Sequence, residues 1–416
     1  MRPTHLGGAL LLLGLLPPGP ARGQELSGFI EGKALVSTEG ADGQDPAAIG
    51  RGTLFTKWED RPTTIQYTAS LRAEATSDDE RQAGTLLDLA DRERRRPPLA
   101  LQDFWLRAPL APAVDLQLGR FQLGWGKTDG YSPADAFLPR DLTDPFADEK
   151  LPLWAARLSG QQQALRYEAV LCPLTTPWRL PRLGSRDAPL TSGTFPAGTA
   201  LLEEDTAPPP DGFAALRLQG TVGDWDLGLW GRGGVRPAPL LDFRPERATL
   251  AAGNLVLPVE RHYAREQALG LELSRVVTAW ILRAELAATF SQDPDLGDAR
   301  IGTVSAERSF GDGTLLITLA GNAISPPVDA ALLFDRAILP ALITVWNRSE
   351  DWGDWKLVWT WGLDHGDGLL KAEMGYTLND LWKLLLGAEL PYGSRQGPLG
   401  ALQDARRATL ALRRSW

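Results

Sequence analysis

The stretch Thr64-Ile65-Gln66-Tyr67-Thr68-Ala69-Ser70-Leu71-Arg72-Ala73-Glu74-Ala75-Thr76 decides the fold. Ile65, Tyr67, Ala69, Leu71, Ala73 and Ala75 alternate with Thr64, Gln66, Thr68, Ser70, Arg72, Glu74 and Thr76. A period of two is that of a strand with one apolar and one polar face. Soluble strands usually run for about five or six residues. An alternation this long matches the strand of a membrane-spanning barrel, roughly 10 residues with the apolar side out and the polar side in.

The same phase recurs outward from this stretch. Leu165–Leu171, Ala214–Gly220, Trp280–Phe290 and Leu370–Leu378 repeat it with Arg166, Glu168, Arg217, Arg283, Glu285, Lys371 and Glu373 on the polar side. Weaker versions cover Leu99–Ala108, Val114–Arg120, Leu153–Ser159, Asp226–Gly233, Ala264–Ser274, Arg300–Phe310, Thr314–Asn322, Leu342–Arg348, Trp355–Leu363 and Lys383–Leu390. Glu25–Val36 and Thr53–Trp58 open the series, and Ala405–Trp416 ends it on an aromatic residue. Short links such as Gly223-Asp224 and Asn379-Asp380 alternate with long ones near 77–98, 121–152, 172–212, 234–263 and 323–341. The expected fold is all-β, a closed antiparallel transmembrane barrel of about 18 strands, with 16 as the lower even count. The strand at Ala405–Trp416 is expected to close onto Leu26–Val36, because lipid tolerates no unpaired strand edge. Among the 15 tryptophans, Trp58, Trp105, Trp154, Trp225, Trp280, Trp346, Trp355 and Trp416 fall near inferred strand ends, as an interfacial girdle requires.

Residues 1–23 read as a secretory signal: Arg2, then the apolar run Ala9–Leu16, then Ala21-Arg22-Gly23. Residues 24–416 are then one barrel domain. Removal of Arg2 and Arg22 takes the formal charge from −9 to −11. No clustered basic charge suggests a nucleic-acid partner. Cys172 is the only cysteine, so no disulfide within the chain helps to hold the fold. His262 and His365 are the histidines left, and no Gly-x-Ser-x-Gly supplies a nucleophile elbow, so an enzyme is not expected. Neither a metal centre nor a cofactor is expected. Asp141, Asp144 and Asp148 offer the carboxylates that a hard cation such as calcium favours, but their spacing is not that of an EF-hand.

Several segments resemble a porin-like family of proteobacterial outer-membrane barrels. The likeness lies in Gly119-Arg120-Phe121-Gln122 with Trp125-Gly126, in Ser132-Pro133-Ala134-Asp135, and in Pro139-Arg140-Asp141. It continues through His262-Tyr263-Ala264-Arg265, Gly270-x-Glu272, Leu282-Arg283-Ala284-Glu285 and Leu412-Arg413-Arg414-Ser415-Trp416. Arg414 departs from the pattern, since an apolar or aromatic residue is usual there. The resemblance implies fold and an outer-membrane location, and no established activity.

Two sets of residues are candidates for function. Arg72, Glu74, Arg166, Glu168, Arg217, Arg283, Glu285, Lys371 and Glu373 are expected to face the lumen, because charges toward lipid cost up to about 2–4 kcal/mol each. Arg72/Glu74, Arg166/Glu168, Arg283/Glu285 and Lys371/Glu373 stand two apart on one face, as a ladder of ion pairs or a charged pore wall. Loop 121–152, with Lys127, Asp129, Asp135, Arg140, Asp141 and Asp144, has the place in the chain of an inward-folded constriction loop. The expected function is a porin-like channel that passes or binds a small solute. The alternative is a non-transporting structural or adaptor barrel. Expected partners are outer-membrane lipid, lipopolysaccharide and the barrel-assembly machinery, the last through the C-terminal strand.

Overall fold

A computed structural model describes residues 24–37, 47–78, 82–147, 149–188, 198–204, 211–251, 253–291, 293, 295–325 and 337–416. The expected leader, residues 1–23, lies outside them. Eighteen strands form one closed sheet. They are β1 Gln24–Ser37, β2 Ala48–Asp60, β3 Gln66–Thr76, β4 Leu99–Ala111, β5 Val114–Phe121 and β6 Leu153–Gln162. Next come β7 Leu165–Cys172, β8 Phe213–Val222, β9 Trp225–Val235, β10 Arg265–Val277, β11 Trp280–Ser291 and β12 Asp298–Phe310. The series ends with β13 Gly313–Ser325, β14 Ala341–Glu350, β15 Gly353–Gly362, β16 Asp367–Thr377, β17 Trp382–Tyr392 and β18 Arg407–Ser415.

Each strand pairs antiparallel with its neighbour in sequence, and β18 returns to β1 from Phe29↔Ser415 to Ser37↔Arg407. The seam is extended by one residue, because Trp416 and Gly28 exchange both backbone hydrogen bonds, at 3.1 and 3.3 Å. The expected closure is therefore present, and the sheet has no free edge.

Alternation decides which side chains go where. Leu71, Phe104, Leu171, Leu216, Leu271, Leu286, Leu319 and Leu410 are exposed on the outer face. Leaving a Leu or Phe in water forfeits about 1.5–3 kcal/mol each, so this belt is stable only against hydrocarbon. Trp58, Trp225, Trp280, Trp355 and Trp416 sit at the end of the short turns, in the manner of a girdle. Trp105 does not. It points inward and packs on the interior cluster around Phe137, so it is a core tryptophan rather than a girdle residue.

The turns at one end are 61–65, 112–113, 163–164, 223–224, 278–279, 311–312, 351–352 and 378–381. The opposite end carries the long connections, and several of these enter or cap the barrel. Phe121, Leu123, Trp125, Phe137, Phe213 and Trp230 form an apolar cluster between the wall and the loop after β5. Above it, Trp178, Leu180, Leu183, Ala238, Leu241 and Val259 form a second cluster. This layer includes a small sheet of Thr199–Glu203, Asn254–His262, Leu240–Phe243 and Thr249–Ala251.

Candidate functional site

Residues 122–152 leave β5, cross the inside of the barrel and return to β6. Their first limb is shaped by Asp135, whose Oδ1 accepts the N–H groups of Trp125 and Gly126 at 2.8 and 2.9 Å. Gly126 has to be glycine at this close approach, because a Cβ would stand 2.5 Å from Ser132 Oγ.

That limb hangs from Glu285 on β11. One carboxylate oxygen accepts from the N–H of Lys127 (2.7 Å), the N–H of Thr128 (2.7 Å) and Thr128 Oγ1 (2.9 Å). The other accepts from Ser132 Oγ (2.6 Å) and the N–H of Ala134 (3.2 Å). Glu285 stands directly opposite Glu272 on β10. Like charges so placed repel each other. The loop donors answer Glu285, and Glu272 is answered by Arg217 at 2.6 Å and by Lys127 Nζ at 3.9 Å. Gly228 makes the Arg217 contact possible. A Cβ there would lie 2.6 Å from Glu272 Oε2, so only glycine lets this carboxylate lie across β9 toward β8.

Further contacts fix the same limb. Trp125 Nε1 donates to Glu168 on β7, and Arg217 donates to the Trp125 carbonyl at 2.6 Å while its guanidinium lies 5.7 Å from the indole centre. Thr318 on β13 donates to the Asp129 carbonyl at 2.8 Å, and Gly130 lies against Ile343 on β14.

The returning limb is held by ion pairs. Arg140-Asp141 pairs with Glu149-Lys150 as a two-stranded ribbon. Asp141 accepts from Arg96 Nε at 2.9 Å and lies 3.5 Å from Arg179. Burial alone would push its carboxyl up, yet Arg96, Arg179 and the Thr143 hydrogen bonds hold it down at about 2. Asp144 meets Arg407 on β18 at 2.7 Å and Arg51 on β2 at 3.6 Å. Arg407 also reaches Glu389 at 3.2 Å and lies 4.8 Å from the Phe146 ring centre. Lys371 donates to the Phe146 carbonyl at 3.1 Å, and Arg72 donates to both oxygens of Glu149 at 2.9 Å. Lys150 and Asp135 tie the two limbs together.

The strand register puts Arg72, Glu74, Arg166, Glu168, Arg217, Arg283, Glu285, Lys371 and Glu373 on the inner face. Their pairing differs from a ladder within strands. Arg72/Glu74 and Lys371/Glu373 are ion pairs, the second at 3.0 Å. Glu168 instead takes Arg157 at 2.6 Å, and Arg283 takes Glu307 at 2.6 Å. The reason is reach, since a neighbouring strand offers a long side chain partners as near as the residue two along its own strand. Arg166 is exposed beside the turn into β7. Glu285 is fully buried beneath the loop, so it borders no open space and anchors the loop instead.

Among the loop candidates, Lys127, Asp135, Asp141 and Asp144 touch the wall or hold the loop's own shape, Arg140 is half-buried in the ribbon, and Asp129 contributes its carbonyl. Asp141 and Asp144 are answered by arginines rather than arranged around a cation, and Asp148 lies outside the described residues. Among those residues, no group of His, Cys, Asp and Glu is placed to hold a metal ion.

Sequence reasoning did not single out Arg51, Asp91, Arg96, Glu389 or Arg407, met Arg120 only within the Gly119–Gln122 likeness, and met Arg179 only in the stretch 173–181, read as a loop plug or rim. Arg120 pairs with Asp91 in a buried contact, and Arg179 lies 3.2 Å from the same carboxylate. Glu389 and Arg407 left a signal, since both stand at inward positions on strands whose other face is apolar. His262, at the end of the outer loop sheet, pairs with Asp293, and the buried Cys172 thiol donates to the Leu174 carbonyl at 3.1 Å.

No protein-family profile matches the chain, and no curated protein does. Solved structures of Rh. blastica porin variants are similar. One has a TM-score of 0.40 at 11% identity over 94% of this chain and 100% of that one. A triple mutant of Rhodopseudomonas blastica porin gives 0.40 at 10% identity with the same coverage, 94% and 100%. A structure titled "Asymmetric conductivity of engineered proteins" gives 0.39 at 9% identity, again over 94% and 100%. The barrel's closure is seen directly in its own strand register.

Proposed function

We propose that the chain is an outer-membrane channel for small polar solutes whose bore is narrowed by residues 122–152. The observation that carries this reading is the loop's attachment across the lumen, from Glu285 on β11 to Lys371, Arg407 and Arg72 on β16, β18 and β3. A free loop would fill the bore at random. This one is held at fixed height and leaves charged inner residues below it, toward the short-turn end. Arg157, Arg283, Glu307 and Glu373 there are of mixed sign. Rings of charge select ions by sign, so a balanced wall supports weak selectivity. The long connections then face the exterior and the short turns the periplasm.

One observation favours a second reading, a closed adaptor barrel. The apolar cluster of Trp178, Leu180, Ala238 and Val259 covers the loop from the mouth side. A planar-bilayer recording separates the two. The channel reading expects discrete openings with little preference between anions and cations, and Arg283→Glu, which touches no loop residue, should shift the reversal potential toward cations. Purified, folded protein that never conducts would overturn it in favour of the adaptor.

A further inference from the structure

The outer wall is not uniformly smooth. On β13–β17 it carries a groove of about 690 Å³, lined by Trp346, Leu357, Trp359, Leu370, Leu390 and Tyr392 and reaching Arg406 at its long-loop end. That volume is in the range of ligand pockets, roughly 300–1,000 Å³. Hydrocarbon alone would suit its lining, but its upper end is built for something else.

Arg406 is exposed just before β18, and its Nε donates to the Pro391 carbonyl at 2.9 Å, which holds the guanidinium at the rim. Nearby Asp404 is held by Arg395 through both oxygens, each at 2.8 Å, and feels Arg406 only as a more distant charge, which leaves the Arg406 fork able to take a second anion. The Tyr392 hydroxyl accepts from Trp359 Nε1 at 2.6 Å, which leaves its own proton free to donate. A cationic fork and a hydroxyl donor thus stand at the head of an apolar groove. A second outer groove, of about 600 Å³ on β5–β10, is the contrast. The one arginine among its lining residues, Arg232, is buried over the Phe137 and Phe213 rings.

We propose that the β13–β17 groove binds one molecule of lipopolysaccharide, with an acyl chain along Leu357 and Leu370 and a phosphate on Arg406 and Tyr392. Guanidinium–phosphate pairing is short and strong, and basic positions beside apolar wall are how membrane proteins select anionic lipid heads. The commitment to lipopolysaccharide rests on the reading that the long connections face the exterior, since that is the leaflet the groove's polar end would meet.

The test uses full-length protein stripped of lipid in detergent, with purified lipopolysaccharide added and retention read by native mass spectrometry. One molecule should be retained per barrel. Arg406→Glu should lower retention at least about tenfold, and Thr344→Trp, which fills the groove, should lower it too. Arg348→Glu at the short-turn end should leave it unchanged. Equal retention by wild type and Arg406→Glu, both folded by heat-modifiable mobility, would overturn the proposal. Equal retention of phosphatidylglycerol would also overturn it, by making the site one for any anionic lipid. Conductance does not involve this groove, so a conducting barrel that retains no lipid fails the inference and spares the channel.

Discussion

The two limbs of the inward loop are held by different physics. Residues 127–134 hang from one carboxylate through neutral N–H and hydroxyl donors, all within hydrogen-bond distance of a group with no exposure. Residues 140–150 lie in a net of arginines and carboxylates where most charges have two partners, as Arg407 has Asp144 and Glu389. Directional bonds to a buried charge act at short range and are little screened. Ion pairs spread over several residues are redundant, and their exposed members weaken with salt. Thr318 and Ile343 touch the first limb only singly, so it behaves as a hinge post whose main point of failure is Glu285, and the second limb as a latch that degrades in steps.

The largest effect should follow from Glu285→Ala. It strips four donors of their acceptor at once and leaves Thr128 Oγ1 the Tyr131 carbonyl alone, and loss of one side of a buried charged contact costs roughly 3–5 kcal/mol. It also leaves Glu272 with a weaker electrostatic neighbour, which relieves repulsion and offsets part of that loss. The expected result is a folded barrel with a mobile loop, read as a larger, noisier single-channel conductance and as new protease cleavage between residues 127 and 134. Unchanged conductance and cleavage would remove Glu285 from the role of post.

Much of this was legible before the structure, and the parts that were not share one cause. Strand phase is a local property, so Thr64–Thr76 announced β3 to within two residues, and the inward face of Arg72 or Lys371 followed from the same alternation. The start of β2 was missed because Gly50 and Gly52 occupy its outward positions and carry no apolar signal. Pairing is a property of register. Nothing near Glu285 in sequence shows that its partners are backbone groups at 127, 128 and 134. The Trp125-Gly126 and Ser132–Asp135 motifs that carried the resemblance prove to be the residues that shape and seat that limb. The arginine net was nearly silent, since Arg96 and Arg179 belong to connections with no periodicity to mark a buried face.

A middle-sized effect concerns acid. Asp141 is held at about 2 against an ordinary 3.8. A carboxyl depressed in the folded state contributes stability above its unfolded value, and that contribution is lost as pH falls through the folded one. Asp141 should therefore support the returning limb down to pH 4 and release it only on the approach to pH 2, for a total of roughly 2 kcal/mol. Pepsin, active across this window, is the probe: cleavage within 140–150 should stay low at pH 4 and rise near pH 2. In Arg96→Gln the rise should move toward pH 4. Cleavage already complete at pH 4 in the wild type would mean that the net does not shelter Asp141.

The smallest effect should come from Arg72→Gln, although Arg72 makes a two-pronged contact with Glu149. The Glu149 side chain is 38% exposed, and Arg96 also reaches it at 3.0 Å, so that carboxylate keeps a partner and part of its hydration. Glu74, the buried second partner of Arg72, keeps Arg96 at 3.5 Å and Arg51 at 3.6 Å. Partly exposed pairs contribute about 1 kcal/mol or less, and salt reduces that further. The variant should show nearly wild-type conductance, with a slight increase in loop noise at 0.1 M salt that disappears near 1 M. That salt dependence is what distinguishes a latch of many weak pairs from a post. If Arg72→Gln instead opened the channel as far as Glu285→Ala, the two limbs would have to be coupled, through Lys150 and Asp135, into a single rigid plug.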